Sequence, residues 1–196
     1  MIEIYNYINE HTYEFFGVIF SIIYVILSIK QNALCWIALI IASLFNMYAY
    51  YLIQLPLQTM MQIFFISTAL YGLYNWSLKK NSSKLIVTKC KLNHHIKWVI
   101  GGVILTIILS IILKQTKLEI FNTNYPFSDS LIFVFNIIPM YMMGKKKLES
   151  WIYFIVIDIY SGCFFYITET YFFSFLFFCY IGFATHGYLT WKTEIK

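Results

Sequence analysis

Seven long apolar stretches fill most of this 196-residue chain. A helix needs about 20 mostly apolar residues to cross the hydrocarbon core of a bilayer, and most of the stretches are close to that length. Only 12% of the residues are charged, whereas a soluble domain carries charge on about a quarter of its residues. We therefore predict an all-α integral membrane protein with a single membrane domain over residues 1–196. The predicted transmembrane helices are 13–29, 34–53, 57–78, 98–113, 130–143, 151–167 and 171–191.

The distribution of lysine predicts the orientation of these helices. If alternate connections lie on opposite sides of the membrane, 12 of the 14 lysines fall on one side, and only Lys114 and Lys117 fall on the other. Cytoplasmic loops retain positive charge during insertion. We therefore expect a multi-pass protein of the cell inner (plasma) membrane, in contact with lipid, with its N-terminus outside and its C-terminus in the cytoplasm. The segment before the first helix carries Glu3, Glu10 and Glu14 and no Lys, which is the wrong charge for a cleaved secretory signal.

The polar residues exclude several other classes of function. All 14 basic residues are Lys, and none is the Arg that typically reads bases or phosphates bidentately, so the net charge of +5 does not indicate nucleic-acid binding. Cys90, His94 and His95 lack a fourth ligand at a usual spacing, so we predict no metal site. With no nucleotide-binding motif and no nucleophile–base constellation, we predict neither enzymatic activity nor a cofactor.

The chain contains an internal repeat at a fixed offset of 115 residues. Trp36 matches Trp151 and Trp76 matches Trp191, and 12 of the 63 positions in 14–76 are identical to their counterparts in 129–191. We predict two three-helix repeats, 14–78 and 129–192, joined by a linking helix at 98–113. A single crossing between two triples gives both repeats the same orientation in the membrane. This 3+1+3 parallel arrangement is typical of some transporters, in which a substrate site is expected near the midplane between the repeats.

One face of the third predicted helix carries two amides, whereas the matching face of the seventh is aromatic. Gln58 and Gln62 correspond to Phe173 and Phe177, and Tyr180 follows on the aromatic face. Such walls suit a flat ligand that stacks on one side and hydrogen-bonds to the other. Toward the ends of the same faces we predict packing residues, including glycines that allow a neighbouring helix to approach closely. They are Gly72 and Trp76 on the third helix and Gly187 and Trp191 on the seventh. Trp36 on the second helix is predicted to pack with them.

Two further polar residues lie on the second and sixth helices. Asn46 shares a face with Trp36, and Asp158 shares a face with Trp151. Asp158 is the one acid in the middle of a predicted helix, and a carboxylate at membrane depth is a functional candidate by default. It could attract a cationic substrate, carry a proton for coupling, or only bond to neighbouring hydroxyls. His186 lies near a helix end, where an interfacial or packing role is the better interpretation.

Three segments resemble the PnuC family of nicotinamide riboside transporters. The run LPLQTMMQIFFISTALYGLYNW resembles the family's third-helix segment, KKKLESWIYFIVIDIYSGCFFY resembles its sixth-helix segment, and FCYIGFATHGYLTWK resembles its C-terminal segment. The resemblance extends over about 14–192. One departure is Leu73, which stands where the family usually has Trp after Tyr-Gly.

The resemblance implies a fold like that of the SWEET sugar transporters, a homotrimeric assembly, and facilitated uptake of a vitamin precursor that a cytoplasmic kinase traps by phosphorylation. Matching positions of the family motifs imply substrate contacts at Gln62, Trp151, Asp158 and Tyr180. Nicotinamide riboside is the first expectation, and thiamine or riboflavin, which relatives carry, is the alternative. A different class of function, a non-transporting channel or scaffold, is favoured if the aromatic faces only pack.

From the residues themselves we expect one narrow substrate site. Nicotinamide riboside and thiamine are flat cations, which aromatic faces bind by stacking and cation–π attraction, while amides and a carboxylate hydrogen-bond to hydroxyl or amino groups. Rocking of one triple against the other would alternate access to the site. The expected site residues are Asn46, Gln58, Gln62, Trp151, Asp158, Phe177 and Tyr180.

Overall fold

The computed structural model describes residues 11–78 and 86–195, and this part of the chain is built from seven long helices. Glu3, Glu10, Lys79, Lys80, Lys84 and Lys196, which entered the charge analysis, lie outside the described residues. The helices are α1 (Thr12–Ile29), α2 (Cys35–Leu52), α3 (Pro56–Leu73), α4 (Leu92–Gln115), α5 (Pro126–Gly144), α6 (Ser150–Ile167) and α7 (Tyr171–Lys192). A π-helical turn, Tyr74–Leu78, continues α3, and a short 3-10 helix, Glu119–Phe121, precedes α5.

The prediction of an all-helical protein with seven helices is confirmed for residues 11–78 and 86–195, and six of these helices are long and apolar enough to cross a membrane. The exception is α3, which begins at Pro56 and contains Gln58 and Gln62. Both amides are buried in the bundle, so the polar groups that lower the hydropathy of α3 face protein rather than lipid. The chain is a multi-pass membrane protein.

The helix ends differ from the predicted spans where polar residues extend a helix past its apolar stretch. Helix α4 begins at Leu92 rather than at residue 98, because a helical turn containing His94 and His95 precedes the apolar stretch. Helix α5 begins at Pro126. Proline suits the first helical position because an N–H group there would have no acceptor within the helix, so its absence costs no hydrogen bond. The helix continues through Pro139 to Gly144 and is therefore longer than the predicted span of 130–143.

Six helices form a closed ring in the order α1, α2, α3, α5, α6, α7, with α7 returning to contact α1. The two triples thus meet at two contacts, α3 with α5 and α7 with α1, which correspond to each other at the 115-residue offset. Helix α4 packs mainly against α5 on the outside of the ring. Gly102 lies against Phe135 at this contact, and most of the other surface of α4 is exposed.

The two turns of the first triple have the same backbone conformation as the two turns of the second triple, at the 115-residue offset. In the described parts of the chain, the non-glycine residues with positive φ are Gln31 (51°), Lys146 (49°), Gln54 (55°) and Glu169 (60°). Gln31 and Lys146 are 115 positions apart, as are Gln54 and Glu169. The turn after α1 therefore resembles the turn after α5, and the turn after α2 resembles the turn after α6.

Tryptophan and glycine pack in two matching units at one end of the ring. A methyl group added at Gly72 would lie 2.3 Å from the Trp36 ring, and one added at Gly187 would lie 2.7 Å from the Trp151 ring. Trp36 meets Trp76 edge to face at 5.1 Å between centroids, and Trp151 meets Trp191 in the same way at 5.3 Å. Four interlocking indoles therefore fill this end, which we call the tryptophan end.

Candidate functional site

A cavity of about 70 Å³ lies inside the ring and is lined by all six ring helices. Twelve of its sixteen lining residues form six pairs separated by 115 positions, so the cavity lies between the two triples. The pairs are Ser21 with Asn136, Leu39 with Phe154, Ser43 with Asp158, Met61 with Leu176, Gln62 with Phe177, and Phe65 with Tyr180.

The structure brings together five of the seven expected site residues. Asn46, Gln62, Asp158, Phe177 and Tyr180 all line the cavity. Trp151 lies toward the tryptophan end, where it borders a smaller void of about 30 Å³ that shares Asp158 and Tyr180 with the cavity. Trp151 is therefore both a packing residue and a neighbour of the cavity.

The remaining expected residue, Gln58, lies away from the cavity and binds Asp129. Its Nε2 donates to the Asp129 backbone carbonyl at 2.9 Å and to Oδ1 at 3.1 Å. The Asp129 carboxylate also accepts the backbone N–H groups of Leu57 and Gln58, each at 3.2 Å. A carboxylate on the first N–H groups of a helix satisfies donors that have no partner within the helix. Gln58 and Asp129 thus fix the start of α3 against α5.

Sequence reasoning missed the polar contributions of α1 and α5. Ser21, Tyr24 and Asn136 also line the cavity, and Ser21 accepts a hydrogen bond from Asn46 Nδ2 at 3.2 Å. The signal was present in the sequence, because Ser21 and Asn136 are polar residues separated by the repeat offset within apolar stretches.

The polar atoms that face the cavity are mainly hydrogen-bond acceptors. The amide nitrogen of Asn46 is engaged with Ser21, and that of Gln62 donates to the Gln58 carbonyl at 3.2 Å. Among the described residues, the amide oxygens of Asn46 and Gln62 and the hydroxyl of Ser43 have no hydrogen-bond partner. The Asn46 oxygen lies against Gly17, so a ligand that carries hydrogen-bond donors would satisfy the Gln62 oxygen and the Ser43 hydroxyl.

Asp158 is the one acidic side chain that lines the cavity. It is 2% exposed, and in residues 11–78 and 86–195 no lysine or histidine forms an ion pair with it. No lysine or histidine lines the cavity. A buried carboxylate is unfavourable without a partner, so the position suits a cationic ligand.

The aromatic wall of the cavity is held rigidly by its neighbours. Phe177 stacks on Phe165 with ring centroids 5.4 Å apart and planes 6° apart, and it meets Tyr180 edge to face at 5.9 Å. Rings fixed in this way can present a face to a flat cation without first losing side-chain freedom.

Comparison with known proteins identifies the family. The family described as nicotinamide mononucleotide transporter matches residues 11–193. The chain belongs to this family. The nicotinamide riboside transporter PnuC of Escherichia coli (strain K12) is 24% identical over 156 residues, which cover 68% of this chain and 65% of that protein. The protein of the same name from Shigella flexneri gives the same figures. The chain therefore spans 65% of the length of these relatives.

A solved structure shows the same fold. The crystal structure described as that of the vitamin B3 transporter PnuC matches with a TM-score of 0.78, covering 98% of this chain and 86% of that chain at 14% identity. The resemblance to the PnuC family is thus confirmed. The relatives of this family member are named as transporters, not as enzymes. At the level of the family, this agrees with the prediction of no enzymatic activity.

The histidines of this family member lie outside the cavity. His95 Nδ1 is 3.0 Å from the Tyr153 hydroxyl, and its ring stacks on that of Tyr153. His94 lies beside Trp98, and His186 is exposed on α7. In the part of the chain that the structure describes, no three metal-binding side chains converge.

Proposed function

We propose that the chain facilitates uptake of nicotinamide riboside across the cell membrane. The observation that carries this proposal is the cavity between the triples, which combines an unpaired carboxyl group at Asp158, a free acceptor at Gln62, and a fixed aromatic wall. Nicotinamide riboside is a flat cation whose ribose hydroxyls and carboxamide are hydrogen-bond donors. Its charge suits Asp158, and its ring can stack on Phe177 or Tyr180.

The same electrostatics favour the riboside over the mononucleotide. A phosphate group would add negative charge to a cavity that already contains Asp158 and that no lysine or histidine lines. Like charges in a low-dielectric site repel strongly. The transported species is therefore the unphosphorylated cation, and a cytoplasmic kinase that phosphorylates it would prevent its return.

Thiamine is the closest alternative, because it is also a flat cation with an amino group and a hydroxyl group. Riboflavin fits less well, because it is uncharged and its three fused rings are larger. The cavity as it stands is smaller than a typical ligand pocket of about 300 Å³ or more, so the substrate would enter only when the triples move apart.

The proposed architecture is a 3+1+3 arrangement of parallel repeats resembling the SWEET transporters, with 14–78 and 129–192 as repeats and 98–113 within the linking helix. The matching contacts of α3 with α5 and of α7 with α1 support it, as do the repeated turns. We place the N-terminus outside because of the lysine distribution. Rocking of one triple against the other would open the cavity to each side in turn. A homotrimer is part of the same proposal.

A ligand panel on purified protein tests this function. We expect nicotinamide riboside to raise the melting temperature by about 5–10 °C at about 100 times its Kd, since binding to the folded state alone adds about 2.7 kcal/mol of stability. Nicotinamide mononucleotide should raise it far less. Asp158→Asn should weaken riboside binding by about 10- to 100-fold, the effect of losing a charged hydrogen-bond partner, while Cys163→Ser, at an exposed position, serves as the control.

Other results would redirect or overturn the proposal. A larger shift with thiamine would move the substrate assignment to thiamine. Equal and negligible shifts with the riboside, thiamine and riboflavin in a well-folded sample would favour a channel or scaffold. Unchanged riboside affinity in Asp158→Asn would remove Asp158 from the site. Uptake that is unaffected both by a pH gradient and by this substitution would exclude Asp158 from proton coupling.

A further inference from the structure

A second cavity, of about 340 Å³, lies at the junction of α4 and α5 and is lined by four lysines. Two of them, Lys89 and Lys91, precede α4, and the other two, Lys145 and Lys147, follow α5. We call this cavity the lysine pocket. It lies outside the ring and shares no lining residue with the central cavity.

Backbone pairing holds the two lysine-bearing segments together. Thr88 N–H donates to the Lys146 carbonyl at 3.1 Å, and Leu148 N–H donates to the Thr88 carbonyl at 3.0 Å. Lys147 Nζ donates to Thr88 Oγ1 at 2.8 Å. The convergence of four lysines is therefore a built feature of this corner of the protein.

The pocket is positively charged and has no acidic lining residue. The nearest acid on these segments, Glu149, accepts a hydrogen bond from the Cys90 backbone N–H at 3.0 Å. Among the described residues, none of the four lysines forms an ion pair with a carboxylate. Lys145 Nζ donates to the Tyr141 hydroxyl and lies 4.3 Å from the centroid of that ring; this hydrogen bond raises the pKa of Lys145. Four cations thus converge on a space large enough for a phosphate group.

The position of the pocket indicates what kind of anion occupies it. Trp98 and Tyr141 line its inner side, with ring centroids 6.5 Å apart at 90°, and such aromatic residues concentrate at the boundary between headgroups and acyl chains. From this point the outer surface of α4 continues as exposed apolar side chains, among them Ile100, Val103 and Ile107. A molecule with a phosphate in the pocket and hydrocarbon along α4 would contact both surfaces.

We propose that the lysine pocket binds the headgroup of an anionic phospholipid, with the phosphate between the two pairs of lysines and an acyl chain along α4. Basic pockets between transmembrane helices on the cytoplasmic side are typical sites for anionic headgroups. A free phosphate ion would use the lysines only, whereas a phospholipid also covers the apolar surface beside them. The bound lipid would tie the segment before α4 to the turn after α5. The proposal does not depend on which vitamin the central cavity binds.

Lipid titration of the purified full chain in neutral detergent tests the proposal. We expect phosphatidylglycerol to raise the melting temperature and to remain bound in native mass spectrometry, and phosphatidylcholine or inorganic phosphate to do neither. Lys89→Gln/Lys91→Gln should weaken phosphatidylglycerol binding about 30-fold, taking about 1 kcal/mol per lysine and about 1.4 kcal/mol per tenfold change. The matched control, Lys114→Gln/Lys117→Gln, removes the same charge at the opposite end of α4 and should leave binding unchanged.

Three results would overturn the proposal. They are equal stabilisation by phosphatidylcholine, full stabilisation by inorganic phosphate, and an equal loss of binding in the control variant. Lys145→Gln/Lys147→Gln provides a second pair should the first variant fold poorly. In either variant, vitamin binding in the central cavity should remain as in the unchanged protein, which separates this test from that of the transport function.

Discussion

At the tryptophan end of the ring, residues 115 positions apart are identical, whereas around the central cavity they differ. Trp36 and Trp151 pack on Gly72 and Gly187 in the same way. In the cavity, by contrast, Ser43 matches Asp158, Gln62 matches Phe177, and Phe65 matches Tyr180. Within this chain, identity across the offset marks packing that each triple needs, and difference marks the walls that would contact a ligand.

The physical reason is that the tryptophan end packs within each triple, whereas the cavity walls of the two triples would contact one ligand between them. An indole on a glycine is an arrangement within one triple, so both triples can use it unchanged. A single small ligand between the triples has two different sides. Identical walls would offer it the same chemistry twice, whereas an acceptor-rich wall and an aromatic wall can hold a polar edge and a ring face at once.

Substitution of the glycines under the tryptophans should have the largest effect on the protein. Gly72→Ala and Gly187→Ala each place a methyl group within 3 Å of a buried indole, so the rings or the backbone must move. We expect each substitution to lower the free energy of unfolding by about 2–3 kcal/mol, the upper range for overpacking a core. Thermal unfolding in detergent measures the loss.

The control is Gly182→Ala on the same helix as Gly187, where an added methyl group meets nothing within 4 Å. Alanine is favoured over glycine in a helix by about 1 kcal/mol, so this variant should be as stable as the unchanged protein or slightly more stable. If Gly72→Ala proved as stable as Gly182→Ala, the close packing at the tryptophan end would be refuted.

The cavity wall should respond in binding rather than in stability. Gln62→Met keeps the approximate volume of the side chain and removes an amide whose oxygen has no partner among the described residues. We expect riboside affinity to fall by about tenfold, the value of one hydrogen bond in a buried site, with little change in melting temperature. Isothermal titration calorimetry measures the affinity.

Its matched control is Met61→Leu, which replaces an adjacent lining residue by the residue found at its 115-residue counterpart, Leu176. An apolar exchange of similar volume should change riboside affinity by less than about twofold. An equal loss in both variants would mean that shape alone sets affinity, and that the amide of Gln62 does not contact the ligand.

The sequence predicted the long helices well and the roles of individual polar residues less well. Apolar stretches and lysine spacing depend on local composition, so they indicated seven helices, including α3 with its two glutamines. The role of Gln58 depends on a contact with Asp129, 71 residues away along the chain, and helical periodicity does not report such contacts. Ser21 and Asn136 were detectable only by applying the repeat offset to polar as well as aromatic residues.

The smallest expected effect concerns the contact between Gly17 and Asn46. In the first triple the larger side chain is on α2, whereas at the corresponding positions of the second triple it is on α5. Gly17 lies against Asn46, where an added methyl group would come within 1.9 Å of Oδ1, and the residues 115 positions later are Ile132 and Ser161. Gly17→Ala should lower the free energy of unfolding by about 1 kcal/mol when residue 46 is Asn. It should change the free energy of unfolding very little when Asn46→Ser is also present, because residues in contact are energetically coupled. A double-mutant cycle of thermal unfolding measures it, with Gly101→Ala, which has open space around it, as the reference. Additive effects would show that Gly17 and Asn46 are not energetically coupled and would refute the close contact between them.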